Sequence, residues 1–334
     1  MDQRTHAWIA LRALKLLEEE GQVPEMIKLL KPYAKNAATG AWIPDKRDAK
    51  LGGSNTQNHV FKITPYDGPG KSRFVYKKKK LMKRLGPERH LSALFLKYDD
   101  ILDDEWWSGA YKADPPAGKH LANRAMSLTI NNIDMLILGD REVQEQLPGR
   151  IGFIGDVPEE TRMSGGQVSL FFFMLSHFIA DSLMPCHCDE QDLSDYDKGL
   201  HKELEKHWSG RIPDLFDDDK LSGSGLSGGE ILDSSLNADT EFGVSFQNTV
   251  PEMNSDDVWE EIVMLCRASF AVASLMAPPS RWPYKPAPQN NAPFSVLFGD
   301  TSGEALLAEI SRAVMHDAVL NVAVIWKFIW NKFN

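Results

Sequence analysis

Cysteine is nearly missing: Cys186, Cys188 and Cys266 are the only three in 334 residues, which excludes a disulfide-stapled scaffold as the source of stability. Long hydrophobic runs are missing too. The longest mid-chain apolar stretch, 170–175, falls far short of the ~18 residues of a membrane-crossing helix, so no transmembrane segment is expected. The first twenty residues hold Asp2, Arg4, Arg12, Lys15 and three glutamates, leaving no room for the apolar region of a signal peptide. The expected location is therefore the cytoplasm, unless the chain is a mature or truncated form. Positive charge is in deficit: 37 Lys and Arg against 47 Asp and Glu give a net charge of −10, which excludes a protein that coats nucleic acid through its overall charge. Any phosphate it handles needs local compensation, which metal ions can supply.

What is present is enough apolar residue for a sizeable core, 43% hydrophobic against 25% charged, in a composition typical of globular chains. Helical periodicity dominates and strand-like alternation is scarce. Residues 5–20 carry a stripe of Ile9, Ala10, Ala13, Leu14 and Leu17 with His6 on it, and a second helical stretch covers 24–34. Further helical patterns run at about 88–101, 119–139, 166–184, 195–208, 256–276 and 303–330. Residues 36–67 read as loop from their Gly, Asn, Asp and Pro. The Asp-, Ser- and Gly-rich segment 217–255 reads as a surface loop insertion, since its glycine run 222–229 lacks the Lys-Ser/Thr ending of a phosphate cradle. Residues 278–293 form a second, proline-rich irregular stretch, and the lysines and Arg84 of 77–84 read as a solvated face. The aromatic end of the last helix, 325–330, reads as core packing. The expected fold is all-α, one domain over 1–334, with an insertion at 64–118.

The chemistry concentrates at 177–205. His177 and Asp181 are four residues apart, as are His201 and Glu205, so a helix presents each pair on one face as a two-point chelate. Pro185 ends or kinks the first helix and lets His187 turn toward a second centre. Imidazole and carboxylate without thiolate are the ligand set of hydrolytic zinc sites. One His-x3-Asp pair is more often a buried histidine with a hydrogen-bond partner, but the full pattern arises by chance in about one sequence in ten thousand. Cys186 and Cys188 flank His187 and read as packing thiols.

In the order H-x3-D-x5-H and then H-x3-E, filled by His177, Asp181, His187, His201 and Glu205, the chain resembles the zinc-dependent phospholipase C family and its relatives, the fungal single-strand-specific nucleases. The segment around His6 is similar to the family's first helix, and Asp45 with His59 reproduces its spacing of fourteen residues between an aspartate and a histidine. Asp48 is the alternative to Asp45. The Glu205 ending and the thirteen residues between His187 and His201 favour the phospholipase branch. The interval from His59 to His177 is longer than the family's, and residues beyond 205 carry none of its signature.

The resemblance implies about two to three zinc ions per chain. One would take His59, His177 and Asp181; a second His187, His201 and Glu205; a third His6, Asp181 and the backbone of Met1. Asp45 would orient or deprotonate the nucleophilic water, or ligate the first zinc. The family's choline-contacting aromatics are replaced by Lys46 and Thr56, so choline specificity is not expected, and Lys46 is assigned to an anion of the substrate. The implied function is zinc-dependent phosphodiester hydrolysis, with phospholipid as the first substrate class. A nuclease on the same scaffold is the alternative, needing a base-stacking aromatic such as Trp42 or Trp208, and a non-catalytic metal-binding protein is the other.

Overall fold

The computed structural model describes residues 1–50, 58–61, 120–147, 158–188, 200–276 and 301–332. Among these the chain is all-α: thirteen α-helices and no strand, with one isolated parallel bridge between Gly139 and Met163. Helix α1 (Gln3–Glu20) starts where the Asp2 carboxylate accepts the Thr5 amide and stops at Gly21, whose φ of 74° lies in the left-handed region that ends helices. The expected stripe is only part of what it buries. Trp8, Leu11 and Leu16 are also fully enclosed, because α1 runs through the middle of the bundle, against α3 (Ala37–Lys50), α6 (Gly165–Ser182) and α13 (Thr301–Asn331). Arg12 is buried on the same helix, and Asp239 at 2.9 Å, Glu19 at 3.3 Å and the face of Phe246 at 4.5 Å compensate its charge.

Helix α2 (Pro24–Leu30) leads through a 3-10 turn at Lys31–Asn36 into α3. The expected loop at 36–67 is therefore corrected for its first part, since 37–50 is helix despite Gly40 and Pro44. Packing overrides the local propensity. A Cβ on Gly40 would come within 2.6 Å of the Phe173 Cβ, so the glycine lets α3 lie close on α6. Helix α6 begins at a capping box of Ser164 and Gln167, worth about 1 kcal/mol, and is apolar on almost every side because α1, α3 and α4 (Leu121–Ile137) enclose it. A short α5 (Arg141–Gln146) precedes it. Beyond α6 come the single turn α7 (Pro185–Cys188), α8 (Leu200–Ser209) and α12 (Val258–Met276).

The segment expected as a surface loop, 217–255, is a second correction. It carries α9 (Asp218–Gly223), α10 (Gly228–Ser234) and α11 (Asn237–Phe242), and Leu221, Ile231, Leu232, Ala238 and Phe242 join the main core. The polar composition hid one or two buried apolar residues per turn. Helix α13 is the one described helix long and apolar enough to cross a membrane, but 89% of its apolar window is buried in the protein, with Trp326 and Trp330 inside the core. The basic run 77–84, the expected helix 88–101 and the proline-rich 278–293 lie outside the described residues.

The expected insertion, 64–118, also lies outside them, but its two ends do not. The Leu121 amide donates to the Val60 carbonyl at 3.1 Å, and the Phe61 and His120 rings meet edge to face at 5.1 Å. The chain leaves and re-enters the bundle at one point. Replacing 62–119 with a flexible linker of about four residues, short enough to cost little closure entropy, is expected to preserve the helical circular dichroism and a cooperative melt. A non-cooperative melt would show that the segment belongs to the core.

Candidate metal centre

Six parts of the chain deliver the predicted residues to one place. The chain start and α1 bring the Met1 amine and His6; α3 brings Asp45; the short stretch 58–61 brings His59; α6 brings His177 and Asp181; α7 brings His187; and α8 brings His201 and Glu205. Three sets of side chains are arranged so that each could hold a metal ion: His6 with His177 and Asp181; Asp45 with His59 and His177; and His187 with His201 and Glu205. Asp45 meets His59 and His177; the side chain of the alternative, Asp48, lies outside the described residues.

Asp181 is the hub. Its Oδ1 lies 3.3 Å from the Met1 nitrogen, 3.4 Å from His6 Nε2 and 3.4 Å from His187 Nδ1. Its Oδ2 lies 3.0 Å from both His59 Nδ1 and His177 Nε2. Asp45 Oδ1 approaches the same two histidines at 3.5 and 3.6 Å. Two ligands on one tetrahedral zinc, each about 2.0–2.1 Å from the ion, lie about 3.3–3.4 Å apart. The contacts of His6, His187 and Met1 with Asp181 match that separation and are longer than a charge-assisted hydrogen bond of about 2.7–2.9 Å. The Met1 nitrogen also lies 3.1 Å from Glu205 Oε1, a link across two of the sets that the sequence did not indicate.

Protonation of His6 and His187 agrees with ligation. Burial, with His177 and the Met1 amine nearby, lowers His6 to about 3, and burial likewise holds His187 well below the usual histidine range, so both rings are neutral at pH 7. Neither His6 nitrogen has a hydrogen-bond partner, although the side chain is fully buried, and His187 Nδ1 is unpartnered as well. Orphaned imidazole lone pairs aimed at a buried carboxylate are what a metal set requires and what a packed apolar core does not tolerate. Burial works against ionised Asp181 and Glu205, yet the surrounding histidines and the Met1 amine hold both carboxyls well below their usual range. Burial also opposes the Met1 ammonium, but Asp181, Glu205 and Asp45 raise it to about 11.

The aim of His177 is set by a group that sequence reasoning missed. Its Nδ1–H donates to the Ala41 carbonyl on α3 at 2.7 Å, which leaves Nε2 as the inward lone pair. No residue pattern encodes a backbone acceptor 136 positions away. A second tie, from the Phe61 amide to the His187 carbonyl at 3.0 Å, joins the His59 stretch to α7.

Among the described residues, exposure at the centre is uneven. Asp45, His201 and Glu205 keep 32%, 29% and 25% of their side-chain surface, whereas His6, His177 and Asp181 keep 1% or less. Lys46 follows Asp45 on α3, with its ammonium 3.5 Å from Asp218 Oδ2, so its charge already has a partner. Trp208 is fully buried, its indole N–H bonded to Ser311, which removes it as a base-stacking surface; Trp42 on α3 is half-buried. No protein-family model, curated protein or solved structure matches the chain.

The shifts fix a pH dependence for the metal-free protein. His6 and His187 are held neutral when folded but titrate near 6.5 when unfolded, so the unfolded state binds more protons below that pH, and stability falls as pH drops from 6.5. The slope is roughly 1.4 kcal/mol per pH unit for each group. Met1 acts in the opposite direction: its amine is raised from 8.0 to about 11, and its contribution is lost as pH rises through that window. Urea midpoints measured in chelator are expected to be highest between pH 6.5 and 8.0 and to fall on both sides. A profile flat from pH 4.5 to 6.5 would show that the two histidines are not held neutral.

Proposed function

We propose that the protein is a zinc-dependent phosphodiester hydrolase of the phospholipase C type. The observation that carries this reading is the orphaned, neutral His6 ring, 3.4 Å from a buried carboxylate that four further nitrogens also surround. Zinc is the metal that this all-imidazole-and-carboxylate set suits. One ion would be held by His59, His177 and Asp181 with Asp45 beside them, a second by His187, His201 and Glu205, and a third by His6, Asp181 and the Met1 amine. When bound, zinc supplies a nucleophile at neutral pH and positive charge opposite the anionic phosphate.

The chain's own residues set where that chemistry happens. Asp181 offers one carboxylate oxygen to each side of the centre, and the Ala41 carbonyl keeps His177 Nε2 pointed at it. Asp45 is among the more exposed residues of the centre, with Oδ1 toward His59 and His177 and a third of its surface exposed. It is the carboxylate placed to take a proton from the attacking water or to close the first ligand set. Phospholipid is favoured over nucleic acid by the Glu205 ending of the motif, the net charge of −10 and the burial of Trp208. A choline headgroup is disfavoured, since the position that would cage it carries Lys46, a cation whose ammonium is turned to Asp218.

Metal analysis of purified protein is expected to find about two to three zinc ions per chain; fewer than two in a folded, zinc-loaded sample would overturn the reading. In parallel assays on phospholipid, single-stranded DNA and a small phosphodiester, phospholipid turnover is expected, with loss in chelator. H187A or E205A is expected to lower that turnover at least about a hundredfold while the helical spectrum stays unchanged. A short Gly-Ser extension on Met1, which buries an amide where the amine stands, is expected to cost one zinc and most of the activity. Equal metal content and rate with and without the extension would remove the amine from the ligand set.

A further inference from the structure

Helix α8 carries two of the three side chains of one ligand set, His201 and Glu205, yet of its own residues it buries only Leu200, Leu204 and Trp208. Among the described helices it packs chiefly on α1. One side chain of α1 reaches across that contact. Arg4 Nε and Nη2 each donate to the Asp217 carboxylate at 2.8 Å, and Nη1 reaches the Ile212 carbonyl at 3.3 Å and the Ser209 carbonyl at 3.5 Å. Ser209 is the last residue of α8, and Asp217 stands just before α9 with its carboxylate making no capping bond to that helix. Lys220 adds a second cation 3.9 Å from Asp217. An exposed ion pair alone fixes little. A planar guanidinium held on two sides fixes position, because its donors point in set directions.

The grip is in step with the metal centre. Arg4 lies three residues after Met1, and Ser209 lies four after Glu205, about one helical turn in each case. The Met1 nitrogen is 3.1 Å from Glu205 Oε1. The two contacts are therefore successive rungs between the same two segments, and holding Arg4 on the end of α8 leaves Glu205 opposite Met1. Lys15, further along α1, makes a comparable tie to Asp233 at 2.8 Å, but that tie ends on α10, which holds none of the ligands.

We infer that Arg4 is a positioning residue for the metal centre, keeping His201 and Glu205 in register with the Met1 end of α1, an assignment that rests on the proposed zinc occupancy. Without the fork, α8 is free to shift along α1, which draws His201 and Glu205 away from His187, whose Nε2 now lies 3.1 Å from His201 Nε2. His59, His177 and Asp181 sit on other elements and keep their places. The set on α8 is the one that weakens.

The test is the zinc affinity of each site, measured by competition with a chromophoric chelator, in the natural sequence and in R4A, R4K, D217N and K15A. R4A and D217N are expected to weaken one zinc by about ten- to a hundredfold and to leave the others unchanged. R4K, which keeps the charge but not the fork, is expected to fall between R4A and the natural sequence, and K15A to match the natural sequence. If R4A fails to fold, D217N carries the test, since it keeps the shape of the side chain. The metal-free protein gives a second readout: acylation of the Met1 amine, read from the N-terminal peptide, is expected to be faster in R4A and D217N than in K15A and the natural sequence, because local opening exposes the amine. Unchanged zinc affinities in R4A and D217N, or an equal loss in K15A, would overturn the inference. Fewer than two zinc ions on the natural sequence would overturn the zinc reading instead, and Met1 acylation then decides whether Arg4 holds the two segments in register.

Discussion

A carboxylate with 1% of its surface exposed, Asp181, is the constraint around which the rest of the bundle is organised. An isolated charge at that depth is strongly unfavourable, and it persists only with compensation on every side. The compensation comes from His59, His177, His187, His6 and the Met1 amine. Two of the four histidines, His6 and His187, are neutral, so they are not counter-ions, and their lone pairs could serve a cation. In the metal-free protein the Met1 ammonium, held charged by Asp181, Glu205 and Asp45, supplies positive charge there, and a bound metal would supply more.

The helices serve that arrangement. Two of them, α1 and α6, are buried almost all round, because side chains of the centre lie on both and must be held in place by packing alone. Gly40 lets α3 approach α6 closely enough for the Ala41 carbonyl to reach His177. Buried Lys327 on α13, bonded to Glu20 at 2.9 Å and to the Val250 carbonyl at 3.0 Å, ties the end of α1 to the far helix and to the loop before α12. These contacts lie away from the centre, yet they fix the axes of the helices that carry it.

Legibility from sequence followed the range of the interaction concerned. His177 with Asp181 and His201 with Glu205 could be read because the helical period alone puts residues four apart on one face. The helical course of 37–50 and the short helices within 217–255 were hidden by Gly, Pro, Ser and Asp, residues whose local preference is for loops; the decisive term there is burial of Phe242, Ile231 and their neighbours against distant helices. The distance between Met1 and Glu205, the pairing of Lys46 with Asp218 and the burial of Trp208 had no local signature at all.

The sequence by itself determined the helical class, the two chelating pairs and the residue types that a metal requires, since each depends on spacing within one or two turns. Only the tertiary structure decided that Met1, His6, His59 and His187 converge on Asp181, that Asp45 joins them through His59 and His177, and that Asp45, His201 and Glu205 are the most exposed of these described residues. Those facts depend on how helices far apart in the chain pack, and packing is set by the summed burial of a whole core, which no short stretch of residues encodes.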